Sequence, residues 1–227
     1  MGQKTNPIGI RLGLTRNWKT IGYRPRLIWE KEIIEDIEVR KYIEGVLKKK
    51  EILNGDIEII RETNRIVINV LVANMNIEKI IKEKEIMVNE IRKITKLPYY
   101  KNLKVNLIVT DFYNKERTNR GINLNDIKLE NWNGTFLANY ISKGIEEKKR
   151  IRDLFGKLDK FVEENIYCGY KVIVSGRISS APRSKRYIKM SGKVPIGSIK
   201  KDIDYGIAVA KIGTGTIGIK IWCYNKE

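Results

Sequence analysis

The sequence predicts an α+β protein built in two parts, and three observations carry that prediction. Two stretches with helical spacing, residues 27–50 and 76–96, surround short runs rich in Ile and Val. A later helical stretch carries a clean apolar stripe. The chain beyond it alternates apolar and polar residues between glycines, as strands and turns require.

The opening MGQKTNPIGIRLGLTRNW spreads Gly2, Pro7, Gly9 and Gly13 without a helical period. An extended arm over residues 1–19 is expected, with a backbone that can approach a partner closely. In the helix that follows, Ile33/Ile37, Val39/Ile43 and Tyr42/Val46 recur at i, i+4, and Asn54-Gly55 closes the element. Asp56–Arg61 and Arg65–Val72 read as an antiparallel pair turning at Glu62-Thr63-Asn64. Helical spacing returns through Ile77, Ile80, Ile81, Met87, Val88, Ile91 and Ile94, and Val105, Leu107 and Val109 alternate as a third strand. This order makes residues 20–112 a small α+β domain with helices on one sheet face.

Asn114–Asn133 is polar, Asn-rich and contains Gly121, so residues 113–133 are expected to be a linker or loop, with a second domain at 134–227. A helical region from about Phe136 to Asn165 opens that domain. Its stripe is Ile151, Leu154, Phe155, Leu158, Phe161 and Val162, a core-facing pattern. The opposite face carries Lys148, Lys149, Arg150, Arg152, Lys157 and Lys160. Four strands are expected at Tyr170–Ser175, Arg186–Met190, Ser198–Ala210 and Thr216–Tyr224, in a mostly antiparallel sheet. Gly176, Gly192, Gly206, Gly213 and Gly215 are placed at strand ends or turns.

Charge is the strongest functional signal. The chain has 45 basic and 27 acidic residues, a net charge of +18, and a surplus of that size disfavours self-association and favours a polyanion. Two tracts contain no Asp or Glu: residues 1–29, with Lys4, Arg11, Arg16, Lys19, Arg24 and Arg26, and residues 165–201. The second holds Lys171, Arg177, Arg183, Lys185, Arg186, Lys189, Lys193, Lys200 and Lys201. The tracts account for 15 basic residues, so the remainder carries only +3. A nearly neutral body with two cationic tracts reads as a binding footprint.

Within the second tract SGRISSAPRSKRYIKMSGK follows a strand end and packs six cations around Pro182. Arginine donates two parallel hydrogen bonds to phosphate and lysine supplies a mobile point charge. Tyr187 offers a ring for an unpaired base. An inert solvated loop is the bland alternative, disfavoured by the absence of acids around it. The first tract suits a tail that orders on a phosphate backbone.

Other chemistries find little foothold. No histidine is present, which removes the usual general base, proton shuttle and commonest metal ligand. Cys168 and Cys223 lack metal-ligand spacing and read as isolated thiols. GTGTIG at 213–218 lacks the Gly-Lys-Ser/Thr ending of a phosphate-binding loop and leads into a strand, so a hairpin is expected. No apolar run approaches membrane-spanning length, no signal core is seen, and Asn6 breaks a myristoylation pattern. No enzyme activity, cofactor, metal, membrane contact or homo-oligomer is expected. A lysine-based nucleic-acid-processing enzyme and a free-standing RNA-binding regulator are the competing classes.

The opening MGQKTNPIGIRLGL and the closing SGR…KVP…DIDYG…GTIGIKIW resemble the family of small-subunit ribosomal protein three. The helices from Leu137 to Ile166, running ungapped into Val172-Ile173-Val174-Ser175-Gly176-Arg177, resemble it too. The resemblance implies a type II KH-like domain and then a C-terminal α+β domain of two helices on a four-stranded sheet. It further implies binding to small-subunit rRNA in the head, a place lining the mRNA entry channel, and neighbouring head proteins as partners. The rRNA residues expected are Lys4, Arg11, Arg16, Lys19, Arg177, Arg183, Lys185, Arg186, Lys189 and Lys193.

Two departures narrow this. A KH fold clamps RNA with Gly-x-x-Gly, but no glycine occurs between Gly55 and Gly121, and Glu78, Glu83 and Glu85 occupy the junction near Asn74–Lys84. The family's messenger-facing basic cluster falls on Arg152, Asp153 and Gly156, where only Arg152 keeps the charge. Lys149, Arg150 and Lys157 stand close enough to join Arg152 as the channel residues. Ala181-Pro182-Arg183-Ser184-Lys185 looks more like mitochondrial members than bacterial ones. With heavy use of Ile, Lys and Asn, the expected setting is an organelle-encoded mitochondrial ribosome, with plastid or AT-rich bacterial ribosomes as alternatives.

Overall fold

The computed structural model describes residues 5–22, 26–50, 52–62, 65–73, 77–95, 102–110, 133–164, 167–178, 182–213 and 215–225. The chain divides into two compact units, Lys19–Lys128 and a discontinuous one that joins Met1–Trp18 to Leu129–Glu227. The expected linker at 113–133 lies, apart from Asn133, outside the described residues.

The continuous unit runs β1 (Thr20–Ile21), α1 (Arg26–Lys49), β2 (Asn54–Arg61), β3 (Arg65–Ala73), α2 (Ile77–Ile94) and β4 (Asn102–Thr110). Its sheet order is β1-β2-β3-β4, antiparallel between β2 and β3 and parallel at both flanks. The helix–strand–strand–helix–strand order expected from hydrophobic period is observed from α1 onward, preceded by the two-residue strand β1, which the period did not signal. Asn54-Gly55, expected to end α1, instead begins β2, and the pairing register shifts between Asn54 and Ile57. The helix stops earlier, with Lys50 N–H bonded to the Val46 and Leu47 carbonyls. Val39, Ile43 and Leu47 of α1 pack with Met87 and Ile91 of α2 over Ile57 and Ile59 of β2 and Ile66, Ile68, Val70 and Val72 of β3.

The first half of α1 departs from its apolar pattern. Ile33 and Ile37, the first pair of that pattern, are exposed at 36% and 44%, while Glu32, Glu35 and Asp36 are buried. The cause is Arg61 at the end of β2, also buried. Its Nε and Nη2 donate to Asp36 Oδ1 at 2.9 and 2.6 Å, and Nη2 donates to the Glu32 carbonyl at 3.3 Å and Glu35 Oε2 at 3.4 Å. A buried guanidinium demands acceptors, and the helix rotates its acidic face inward to supply them. Burial pushes the Asp36 carboxyl above its ordinary range even though Arg61 donates to it.

The discontinuous unit contains α3 (Gly134–Glu146), α4 (Ile151–Glu164), β5 (Tyr167–Gly176), β6 (Lys185–Gly192), β7 (Ile203–Ile212) and β8 (Gly215–Asn225). Its sheet is antiparallel throughout, in the order β6-β5-β8-β7. The expected helical region is two helices, broken where Lys148 takes φ 59°. Asn133 caps α3 by accepting from Phe136 N–H at 3.0 Å. Leu154, Phe155 and Leu158 of the α4 stripe are buried, while the side chains of Phe161 and Val162 lie outside the described residues.

The helices cover one sheet face, where Val172, Val174, Ile219 and Ile221 are fully buried. Gly206, expected at a turn, sits inside β7. A Cβ there would overlap the Gly134 carbonyl, so glycine lets the start of α3 lie directly on the strand. Residues 198–202, expected as strand, belong to an irregular segment ahead of β7.

Replacing Arg61 by Met should destabilise the protein by about 3–5 kcal/mol at neutral pH, because three buried carboxylates lose their cation. The loss should shrink on acidification, since protonated carboxyls tolerate burial alone. Urea denaturation at pH 7 and pH 4.5 checks both parts, and an equal loss at the two pH values contradicts the account.

Candidate nucleic-acid interface

The first basic tract is largely committed inside the fold. Residues 5–18 do not run as a free arm; Gly9–Arg11 form a turn of 3-10 helix. The Arg11 carbonyl then accepts from Leu14, Thr15 and Arg16 N–H, each at 3.1 Å. Arg11, expected on RNA, is fully buried. Its Nε donates to the Lys201 carbonyl at 2.8 Å, Nη1 to Pro7 at 2.9 Å, and Nη2 to Ile196 at 3.0 Å and Ser198 at 2.7 Å. Arg16 pairs with Asp202 at 2.6 Å and lies 3.8 Å from Asp204. Lys19, in the other unit, pairs with Asp56 at 2.6 Å. Lys4 lies outside the described residues.

These placements correct the expected arm, and the reason is physical. An acid-free stretch in sequence can still meet acceptors contributed from far away. Arg11 finds carbonyls at 196–201, and Arg16 finds both acids of the DIDYG motif. Asp204 is itself buried and accepts the Gly134 N–H, which ties the Arg16 contact to the start of α3.

The second tract keeps its charge outward. β6 is exposed along nearly its whole length, and Arg177, Arg183, Lys185, Arg186 and Lys193 are exposed. Arg183, Lys185 and Arg186 stand within four consecutive residues, with Tyr187 next to them at 45% exposure. Lys189 differs: it pairs with Asp159 of α4, which also accepts from the Tyr170 hydroxyl. Burial raises the Asp159 carboxyl, but the hydrogen bonds from Lys189 and Tyr170 outweigh it and hold the group below its ordinary range. Sequence reading did not single out Asp159, although it stands beside Leu158 of the stripe.

The Lys189–Asp159 contact sets α4 alongside β6. On α4 and the turn before it Arg150, Arg152 and Lys157 are exposed, whereas Lys149 pairs with Glu147 at 2.5 Å. Gly156 faces open space one turn after Arg152. Among the described residues no group of His, Cys, Asp or Glu could hold a metal ion, and no helix is long and apolar enough to cross a membrane. Cys223 is buried, which pushes its thiol well above the ordinary range.

The family described as Ribosomal protein S3, C-terminal domain, matches residues 141–223. Over its full length the chain is 30% identical to small ribosomal subunit protein uS3 of Brevibacillus brevis, covering 93% of that protein. It is 29% identical to uS3 of Acetivibrio thermocellus and 26% identical to uS3 of Coxiella burnetii, covering 91% of each. An α+β fold with an outward basic strand, matched end to end in this way, defines a structural protein of the small ribosomal subunit. Within that class the chain belongs to the uS3 family. These relatives are bacterial and lend no support to the mitochondrial setting expected from composition.

Arg11→Met should cost about 2–4 kcal/mol, because three distant carbonyls lose a charged donor. Lys193→Ala, at an exposed position, should change stability by no more than about 0.5 kcal/mol. Matched urea curves distinguish them, and coincident midpoints would refute the assignment of Arg11 to the fold.

Proposed function

We propose that this uS3 protein holds rRNA of the small-subunit head through Arg177, Arg183, Lys185, Arg186 and Lys193, and presents Arg150, Arg152 and Lys157 to messenger RNA at the entry channel. One observation carries the reading. Arg183, Lys185 and Arg186 are exposed together inside a stretch of 37 residues without a carboxylate. Among the described residues these three cations have no partner in the fold, while phosphate offers each a charge-assisted hydrogen bond. Arg11, Arg16 and Lys189 belong to a different category: their partners are already supplied by the chain, and they act by holding the surface in shape.

In this reading the unit Lys19–Lys128 is a KH-like domain that serves as a packing body. Its α–β–β–α–β order supports the type II KH-like assignment, and the missing Gly-x-x-Gly removes the RNA clamp. The junction at 74–76 lies outside the described residues. The mitochondrial setting rests on composition and on the resemblance of Ala181-Pro182-Arg183-Ser184-Lys185 to mitochondrial members, and fractionation of organelles from the source cell tests it separately.

The interface is tested by measuring affinity for an rRNA head fragment against salt. The log–log slope should be about −0.7 to −0.9 per phosphate contact. Replacing Arg183, Lys185 and Arg186 together by Ala should flatten that slope by about 2–3 without shifting the unfolding midpoint. An unchanged slope would place the RNA elsewhere.

A further inference from the structure

Strand pairing divides the basic strand β6 between the two faces of its sheet. Residues directly opposite one another in an antiparallel pair point to the same side. Lys185, Tyr187 and Lys189 stand opposite Gly176, Val174 and Val172, and the two valines are fully buried beneath the helices. Arg186, Ile188 and Met190 stand opposite Ser175, Ile173 and Lys171, on the other side. Tyr187 therefore shares the helix side with two lysines and is parted from Arg186, its neighbour in sequence. Of the two helices, α4 lies against β5, and α3 against β7 and β8. The helix side of β6 is left as an open ledge beside α4, on which the Tyr187 ring is exposed.

Chain direction decides which part of α4 borders that ring. The helix ends at Glu164 and reverses into β5, which begins at Tyr167, and β6 is antiparallel to β5, so α4 and β6 run the same way. The Lys189–Asp159 pair joins them side by side. From there Tyr187 lies two residues back along β6, about 7 Å. Arg152 lies seven residues back along α4, about 10 Å and two turns, which returns it to the edge of the helix that holds Asp159. Between them on this edge Phe155 is buried and Gly156 meets open space, so no side chain of α4 fills the ledge. Asp153 is rotated about 100° further round, towards solvent. Asp159 is already occupied by Lys189 and the Tyr170 hydroxyl.

An exposed ring bordered by an exposed arginine, with the nearby carboxylate taken, suits an unpaired RNA strand. A base stacks on the ring and the cation takes the adjoining phosphate. Paired RNA hides its base faces inside the helix and would gain nothing from the ring. We infer that Tyr187 is a stacking platform for an unpaired base of messenger RNA whose adjoining phosphate is held by Arg152. Stacking tolerates any base, which suits a channel that must pass messengers of every sequence. The inference rests on the proposed placing of Arg152 at the messenger, and it adds a base contact to a site so far defined by charge.

The test uses purified small subunits that contain the full chain, bound to an unstructured messenger. A photo-reactive phenylalanine at position 187 should crosslink to the messenger and mark the nucleotide in contact. Tyr187→Ala should lower messenger affinity about tenfold, whereas Tyr187→Phe, which keeps the ring, should stay within about twofold. With that one nucleotide made abasic, the unaltered chain and the Tyr187→Ala variant should bind alike, an outcome that a purely structural role for the ring would not produce. Crosslinks to rRNA or protein, equal losses in the two variants, or a difference that persists on the abasic messenger would each overturn the inference. Joint replacement of Arg150, Arg152 and Lys157 by Ala examines the underlying reading. Weaker messenger binding there, with Tyr187→Ala indifferent, removes the stacking alone, while unchanged binding removes both.

Discussion

A guanidinium removed from water must find acceptors, and two such groups set the internal arrangement of this protein. Arg61 is met by three carboxyl-bearing residues of α1, which turn the first half of that helix against its own hydrophobic pattern. Arg11 is met by four backbone carbonyls, three of them contributed by residues 196–201. In the first case the acceptors are charged, so the cost of burial is shared between opposite ions. In the second they are peptide dipoles, and a short turn near the start of the chain is fastened beside the approach to β7.

This constraint sorts the basic residues by use. A surplus of +18 does not mean that every cation is available to a partner. Arg11, Arg16, Lys19 and Lys189 have acceptors inside their own units, and their contacts shape the surface. Lys185 and Arg186 project from an edge strand with nearly every side chain exposed, and Arg183 stands exposed in the bend just before it. The family supplies the setting for this difference: in a ribosomal protein, cations left outside the internal network are the ones with free energy to gain from phosphate. Pairing of Lys189 with Asp159 fixes the strand that carries them against α4.

The two faces of the second sheet divide labour in the same way. Glycine at 206 lets α3 approach closely, and Val172, Val174, Ile219 and Ile221 disappear beneath the helices. The reverse face is sealed around Trp222 by the segment at 194–196, but β6 and β7 leave aliphatic side chains open beyond it. Alternation on one strand thus supplies core residues to one side and exposed residues to the other.

Period and spacing in the sequence were enough to determine the α+β class, the order of the main helices and strands and the antiparallel hairpins, because these depend on local side-chain patterns, while the terminal motifs carried the resemblance to the family. The basic strand at 185–193 was legible for the same reason: consecutive cations on a strand without acids have few ways to be neutralised locally. Tertiary structure alone decided which charges stayed outside. Arg11 meets acceptors about 190 residues away, Arg61 about 25 away, and no local window contains both partners. Ile33 and Ile37 share the apolar period of α1, yet Arg61 claimed the inward face, and the cationic N-terminal stretch looked free until distant carbonyls and the acids of DIDYG closed around it. Burial of a charge is settled by the summed positions of its acceptors, a property of the folded chain that residue order does not display.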